Sequence, residues 1–309
     1  MSVDILIAIL VTVVGASTPI LLAALGELVV EKSGVLNLGI EGMMLIGAVT
    51  GFAVTTLTGS PWIGVMAAMA AGIMASLLFA FLVLSLSSNQ VATGLALTIF
   101  GTGLSALLGE GFVGRTIQIF GPVFPDTLAQ HPIFRVVFGY SPIVYFSLFM
   151  VFAVAWFLKS TRAGLILRAV GENDHSAHSI GYSVIGVRYM AVAFGGAMAG
   201  IAGSYFSMVL TPMWADRLTA GRGWIALALV VFAAWRPFRL LAGAYLFGLV
   251  MTVELHAKAA GGAFSFIPPE LWAALPYIAT IVVLAAISMR QSSGSSAPAC
   301  LGKPFVSTH

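Results

Sequence analysis

Five polar or charged residues lie close together between two long apolar runs near the start of the chain. They are Glu27, Glu31, Lys32, Asn37 and Glu41. Residues 5–26 before them contain no charged residue, and residues 42–109 after them contain neither a charged residue nor a histidine. Ionisable groups beside or within apolar segments of bilayer length are costly, and they mark pathways, ion pairs or binding sites. The pattern therefore predicts a membrane protein with few polar groups, most of them gathered here.

Asn37 and Glu41 are four residues apart, so on a helix they share one face. A carboxylate in an apolar run normally faces the interior of a helix bundle and has a partner there. One interpretation makes Glu41 a hydrogen-bond acceptor along a pathway through the membrane. The other, which we favour, makes it a structural group that holds the first two helices together through Lys32 or backbone amides.

A second polar pair, Asn89 and Gln90, opens the fourth apolar run. Polar residues at the start of a helix commonly cap its first free backbone N–H groups. The alternative is that this pair contacts the pathway through the membrane.

Several kinds of chemistry are excluded by what the sequence lacks. The motifs G-x-x-x-x-G-K-[ST], H-E-x-x-H and G-x-S-x-G are absent. His175 and His178 have helical spacing, but no cluster of cysteines or carboxylates accompanies them. The single cysteine, Cys300, lies in a polar tail, so no disulfide framework can form within one chain. We therefore expect no enzymatic activity, no metal site and no cofactor in this chain.

The composition indicates that the solvent for this chain is lipid. Hydrophobic residues make up 60% and charged residues only 8% of the sequence, whereas soluble domains contain about 25% charged residues. Basic residues lie at the ends of apolar segments rather than in one patch, which argues against nucleic-acid binding. We predict an all-α polytopic membrane protein with membrane lipid as its surroundings.

A spanning helix needs about 20 mostly apolar residues, and the sequence offers nine such runs, with eight to ten defensible. The runs are residues 5–28, 36–57, 62–86, 90–109, 140–158, 189–211, 223–235, 239–256 and 271–289. Residues 223–235 are short for a span. Glycine and proline residues in the first two runs predict that these helices are irregular or broken.

Lysine and arginine positions predict the orientation, because they are enriched in cytoplasmic loops. With residues 159–188 inside, nine basic residues lie in the cytoplasm: Lys32, Lys159, Arg162, Arg168, Arg188, Arg236, Arg239, Arg290 and Lys303. Five lie outside: Arg115, Arg135, Arg217, Arg222 and Lys258. We therefore expect an external N-terminus and a cytoplasmic C-terminus. The apolar runs predict a single transmembrane domain over residues 1–290, and the Ser-rich tail over residues 291–309 is expected to be disordered.

The segment GELVVEKSGVLNLGIEGMMLIGAVTGF resembles ABC-importer permeases of the ribose and branched-chain amino acid class, most closely the nucleoside and simple-sugar branch. The resemblance continues in order through SPWIGVMAAMAAGIMASLLFAFL, NQVATGLALTIFGTGLS, RAVGENDHSAHSIGYSVIGVRYMAVAFGGAMAGIAGSY and TAGRGWIALALVVFAAWRPFRLLAGAYLFG. Two positions depart from the pattern. Asp174 stands where the family usually has proline, and residues 233–237 replace a G-[RK]-W-[ND]-P sequence.

The resemblance implies an importer subunit in the bacterial inner (plasma) membrane that moves nucleosides or related small solutes inward. It implies a separate ATPase subunit that binds ATP and magnesium, a second permease subunit forming a heterodimer, and an extracytoplasmic solute-binding protein. Arg222 and Trp224 would contact that binding protein, although an interfacial tryptophan is more often a membrane anchor.

The ATPase contact is expected within residues 159–188, the largest internal hydrophilic segment, which could form short helices broken at Gly171 and Gly181. The residues assigned to it are Arg168, Gly171, Glu172, Asn173, Ala177 and Gly181. The segment leads into Gly196-x-x-x-Gly200, a small-residue face suited to close helix packing.

Two alternatives remain open from the sequence. The same machinery could carry a simple sugar such as ribose, since no residue identifies a nucleobase. A different class, an ion-coupled secondary transporter, would use an intramembrane acid as its ion site, and Glu41 is the only good candidate.

Overall fold

The computed structural model describes residues 3–124, 132–260 and 297–305, together with the isolated positions 271, 278, 281 and 285. The helices are α1 (Val3–Lys32), α2 (Ile40–Thr58), α3 (Pro61–Ala80), α4 (Gln90–Gly109), α5 (Pro132–Phe138), α6 (Pro142–Ser160), α7 (Arg162–Glu172), α8 (Asp174–Ser179), α9 (Val184–Tyr205), α10 (Arg222–Phe232) and α11 (Pro237–Ala260). Short π-helical turns continue α3 over Phe81–Ser85 and α9 over Phe206–Leu210.

Seven of these helices are long and apolar enough to cross a membrane: α1, α2, α3, α4, α6, α9 and α11. An eighth apolar helix, α10, is shorter. The ninth predicted run, residues 271–289, lies almost entirely outside the described residues. The prediction of an all-α polytopic architecture is confirmed, and the expected number of about nine spans is roughly consistent with it.

The two ends of the helix bundle are each marked by a buried residue. Arg188, near the start of α9, lies against the backbone of Ser33, which follows α1. Trp214 follows α9 at the opposite end and pairs with the backbone of Val113, which follows α4. We call these the Arg188 end and the Trp214 end.

The first two helices are continuous, so the prediction that they are broken is wrong. α1 runs through Pro19, and α2 is regular from Ile40 to Thr58. The backbone instead leaves the helical conformation between them, at residues 33–39, and again at residues 211–221 before α10. Irregular backbone at membrane depth needs protein partners for its polar groups. These two segments are therefore where buried polar side chains are required.

Helix α9 forms the centre of the bundle and packs closely on α1, α2 and α3. At Gly196 a side chain would collide with the carbonyl of Gly72 in α3, and at Gly200 with the carbonyl of Ala68. The backbones of α9 and α3 touch because neither glycine has a side chain. The small-residue face predicted from the sequence is therefore an interhelical contact.

Helix α10 is half as long as a membrane span. Its 11 residues, at a rise of about 1.5 Å per residue, make about 16 Å, against a hydrocarbon core of about 30 Å. Its last turn lies at the Arg188 end, because the indole Nε1 of Trp235 donates a hydrogen bond to Glu31 near the end of α1 (2.6 Å). Arg222 and Trp224, in its first turn, therefore lie about 16 Å from the Arg188 end, which is about half the thickness of the hydrocarbon core.

The C-terminal segment also differs from its prediction. We expected residues 291–309 to be disordered, but residues 297–305 pack against the Arg188 end. The amide of Cys300 donates to the carbonyl of Gly171, and the amide of Gly302 donates to that of Gly34 (both 3.0 Å). The expectation is therefore wrong for these nine residues, and the rest of the tail lies outside the described ranges.

The contact of α9 with α3 predicts unequal effects of two glycine-to-alanine changes. Gly200→Ala forces a methyl group into the α3 backbone, and overpacking of this kind costs about 1–3 kcal/mol, so the melting temperature of the purified protein in detergent should fall. Gly103→Ala, on an open face of α4 with no atom within 4 Å, is the control and should leave the melting temperature unchanged or slightly higher. Equal melting temperatures for the two variants would contradict the packing assignment.

Candidate functional site

The carboxylate of Glu41 joins α2 to the start of α10. Its Oε1 accepts hydrogen bonds from the Thr219 hydroxyl (2.5 Å) and the Gly221 amide (2.8 Å), and its Oε2 accepts one from the Gly223 amide (2.6 Å). The free N–H groups at a helix start carry partial positive charge, so a carboxylate there is stabilising. The geometry favours the structural interpretation of Glu41, but its partner is α10 and not Lys32.

Two further glutamates accept hydrogen bonds from the other irregular segments, which are the α1–α2 connection and the turn between α10 and α11. Glu27 accepts a hydrogen bond from the amide of Asn37 (3.1 Å), in the segment that connects α1 to α2. The side chain of Asn37 in turn accepts from the amide of Gly39 (3.0 Å), just before α2 begins. Glu31 accepts from the indole of Trp235. Asn37 therefore shapes the α1–α2 connection and does not act together with Glu41.

The joint between α10 and α11 is strained. Ala234 and Trp235 have φ angles of 49° and 54°, in a region that costs non-glycine residues of order 1–3 kcal/mol each. The bond from Trp235 to Glu31 holds this conformation, and the Lys32 ammonium lies 5.7 Å from the centre of the Trp235 ring. This joint is also one of the two departures from the family sequence pattern.

Asn89 and Gln90 have separate roles. The side chain of Asn89 accepts a hydrogen bond from the amide of Ala92 (3.0 Å) and so caps α4. Gln90 is buried, and its Oε1 accepts from the amide of Leu36 (2.8 Å) in the α1–α2 connection. Both residues therefore have structural partners, and neither lines the cavity described next.

A cavity of about 540 Å³ lies toward the Trp214 end, between α1, the end of α9, the start of α10, and α11. Its volume is within the usual range of small-molecule sites, about 300–1,000 Å³. Its polar lining residues are Thr12, Tyr140, Ser141, Tyr205, Arg222, Thr252 and Glu254. The remaining lining is mainly aliphatic and aromatic, so the cavity suits a small solute with both polar and apolar faces.

Two side chains give this cavity hydrogen-bonding capacity. The hydroxyl of Tyr140 is buried and has no hydrogen-bond partner within the described ranges. Burial raises the pKa of Tyr140 to about 12, and like any tyrosine it is protonated at neutral pH and can donate. The guanidinium of Arg222 donates to the carbonyl of Thr219 (3.3 Å) and lies 5.0 Å from the centre of the Phe206 ring. Its charge is opposed by Glu41 and Glu254, which favours a neutral solute over an anionic one.

The hydrophilic segment 159–188 contains two short helices, α7 and α8, as the sequence predicted. The second ends before Gly181, which has a φ of +92°. The first break falls at Asn173 rather than Gly171, because the Asn173 side chain accepts from the amide of Ser176 (2.9 Å) and caps α8. Gly171 lies against the end of α1, where any side chain would collide with the Lys32 carbonyl.

The six residues predicted to contact an ATPase divide into two groups. Arg168, Glu172, Asn173 and Gly181 are exposed at the Arg188 end, whereas Gly171 and Ala177 are buried and position the helices. His175 and His178 also lie on α8, but no three His, Cys, Asp or Glu residues within the described ranges could together hold a metal ion.

An ion pair that the sequence did not reveal fixes α8 to the bundle. Arg188 is fully buried, and its Nη2 lies 3.1 Å from Oδ2 of Asp174. Its Nε donates to the carbonyl of Ser33 (3.1 Å). Asp174 is the residue that replaces the usual family proline, so this departure has a clear structural role. Arg188 was expected in a cytoplasmic loop on the positive-inside rule, and its spacing from Asp174 gave no sign of this pairing.

Residues 9–284 match the family described as the branched-chain amino acid transport system / permease component. The chain belongs to this permease family. The resemblance noted from the sequence blocks is therefore confirmed, and the permease is a multi-pass membrane protein of the ABC-importer type. Proteins of this type are transport subunits and not enzymes.

Three relatives are similar over nearly the whole permease. The "Putative glucose ABC transporter permease protein TsgC13" of Haloferax volcanii is 41% identical over 91% of both chains. The guanosine ABC transporter permease protein NupQ of Bacillus subtilis is 30% identical over 94% of this chain and 93% of its own. The nucleoside ABC transporter permease protein NupC of Lactococcus lactis is 29% identical over 87% of this chain and 88% of its own.

The contacts of Glu41 predict that replacing its charge destabilises the permease. In Glu41→Gln one oxygen becomes an NH₂ group that faces a backbone N–H, so one donor loses its acceptor at a cost of about 1–3 kcal/mol. The melting temperature in detergent should fall. That of Glu41→Leu should fall further, because all three donors lose their acceptor. The control is Glu110→Gln, an exposed carboxylate at the end of α4, which should leave stability unchanged. A Glu41→Gln protein as stable as this control would contradict the structural role of Glu41.

Proposed function

We propose that the permease imports a neutral, hydroxyl-rich solute, a nucleoside or a close relative, with a simple sugar such as glucose or ribose as the alternative. The observation that carries this proposal is the cavity at the Trp214 end, with its buried Tyr140 hydroxyl and its opposed Arg222 and Glu254 charges. Such a lining can hydrogen-bond ribose or sugar hydroxyls and pack against a ring. The names of the relatives, which include guanosine, nucleoside and glucose permeases, support both alternatives.

The Arg188 end is proposed to face the cytoplasm and the ATPase. It carries α7 and α8, the exposed Arg168 and Glu172, and most of the basic residues, as the positive-inside rule expects. This orientation places residues 297–305 in the cytoplasm and the cavity on the external side. ATP and magnesium would be bound by the separate ATPase subunit.

The remaining partners follow from the same transporter class. A second permease subunit, as a heterodimer, would complete the path across the membrane, and an external binding protein would deliver solute at the Trp214 end. Arg222 and Trp224 are poor candidates for contacting that protein, because α10 begins near mid-membrane. Arg222 is better placed to meet the solute, since it lines the cavity.

Ion-coupled secondary transport is disfavoured by the surroundings of Glu41. Both carboxylate oxygens already accept hydrogen bonds, from one hydroxyl and two backbone amides. An ion at this position would have to displace the start of α10. The carboxylate that the sequence offered as an ion site is thus engaged in holding two helices together.

An exposed apolar side chain beyond α8 tests the ATPase contact. Ile180 is 71% exposed at the Arg188 end, so Ile180→Asp should leave the fold intact while placing a charge in the proposed interface. We expect the ATPase subunit to be lost on purification and uptake of labelled guanosine to fall at least tenfold. Ile119→Asp, with a comparably exposed side chain (58%) at the other end, should retain the ATPase. Retention of the ATPase by Ile180→Asp, with normal uptake, would refute the docking assignment.

The cavity is tested by removing one hydroxyl. Tyr140→Phe keeps the ring but loses the unpartnered donor, and a neutral hydrogen bond contributes about 0.5–1.5 kcal/mol. The KM for uptake in reconstituted vesicles should therefore rise about two- to tenfold with little change in maximal rate. Tyr189→Phe, whose hydroxyl bonds Ser85 outside the cavity, is the control. An unchanged KM in Tyr140→Phe would exclude Tyr140 from the solute path. Separately, inhibition of uptake by glucose or ribose but not by guanosine would favour the sugar alternative.

A further inference from the structure

Residues 297–305 form a short C-terminal segment that bridges two parts of the Arg188 end. The amide of Cys300 donates to the carbonyl of Gly171 at the end of α7, and that of Gly302 donates to the carbonyl of Gly34 in the α1–α2 connection. The thiol of Cys300 also lies 3.6 Å from the carbonyl of Glu172. These backbone bonds hold the middle of the segment on both sides. We call these nine residues the C-terminal strap.

The strap shares a buried charge with α8. The carbonyl of Lys303 accepts hydrogen bonds from Nη1 of Arg188 and from Nε2 of Gln90 (both 3.4 Å). Arg188 is the residue whose Nη2 pairs with Asp174 at the start of α8. Removing a partner from a buried guanidinium strongly destabilises the folded protein. The strap, α8 and the α1–α2 connection are therefore tied together through one side chain.

The end of the strap covers α8 itself. The ring of Phe305 lies 5.6 Å from the ring of His175 and 5.4 Å from that of His178, measured between centroids. Beneath it is a small apolar cluster whose buried members are Val170, Ala177 and Val184. Phe305 is packed against this cluster, so α8 is held between the bundle and the strap.

We propose that the C-terminal strap transmits movement of the ATPase, bound at α8, to the α1–α2 connection. This inference rests on the proposed function, in which the ATPase contacts α7 and α8. The connection reached by the strap contains Asn37, which is held by Glu27, and it leads directly to Glu41 and the start of α10. The strap stays in place throughout the transport cycle, because its departure would remove a partner from the buried Arg188.

The chain contains one cysteine, so maleimide labelling of Cys300 reports the position of the strap without any mutation. In the complex with the ATPase, labelling should be slow at rest and remain slow during ATP hydrolysis. Phe305→Ala should speed labelling at least tenfold, retain the ATPase on purification, and abolish the stimulation of ATP hydrolysis by solute. Ala299→Ser, an exposed change within the strap, is the control and should resemble the unmodified protein.

A chain that ends at Ser296 provides a second variant. It should bind the ATPase but neither transport guanosine nor show solute-stimulated ATP hydrolysis, and a synthetic peptide of residues 297–309 should restore both in part. Normal transport by this chain, or by Phe305→Ala, would overturn the proposal. Faster labelling of Cys300 when the ATPase binds would also overturn it, by showing that the strap is displaced. Failure of the unmodified permease to bind the ATPase would instead count against the proposed function.

Discussion

An unpaired backbone amide inside a membrane costs several kcal/mol, because no water is present to bond it. The permease has two irregular segments, residues 33–39 and 211–221, which lead from opposite ends of the bundle to buried residues such as Asn37 and Thr219. A half-length helix lies between the second of these and the Arg188 end. Three buried glutamates satisfy the donors at these places. Glu41 holds the start of α10, Glu31 holds its end through Trp235, and Glu27 holds the α1–α2 connection.

The same constraint explains why acids are concentrated between the first two helices. A glutamate side chain can reach several donors from a regular helix, and it adds a negative charge where helix starts are positive. Glu27 and Glu31 lie on the last turns of α1 and Glu41 on the first turn of α2. The two helices therefore remain regular while their side chains support the irregular backbone of other segments.

Composition and hydrophobic runs predicted the helical architecture and most span positions, because lipid leaves few other solutions for an apolar chain. They did not predict which segments are irregular, since glycine and proline in the first two runs were taken as breaks, whereas Gly47 packs against α9 at Gly200 and α1 passes through Pro19. A structural role of Glu41 through backbone amides was predicted, but the amides were expected between the first two helices and not at the start of α10. Partners such as Thr219 are distant in sequence, and only the tertiary arrangement brings them together.

Contacts at the Arg188 end could not be predicted from the sequence either. Asp174 was noted as a departure from the family pattern, but nothing in its neighbours indicated that it would pair with a fully buried arginine. The Ser-rich composition of the tail indicated disorder, yet residues 297–305 bind mainly through backbone groups, which leave no compositional signal. Backbone-mediated contacts and buried ion pairs are thus the features that remained hidden.

The left-handed conformations of Ala234 and Trp235 have a mechanical consequence. Two non-glycine residues with positive φ close the end of α10, where the amides of Ala234 and Trp235 donate to the carbonyls of Val231 and Val230 and the Trp235 indole donates to Glu31. The turn therefore directs the Trp235 side chain toward α1, so the half-length helix is attached at its end to α1 and at its start, through Glu41, to α2. Any shift of α1 relative to α2 consequently acts on opposite ends of the same 11-residue helix.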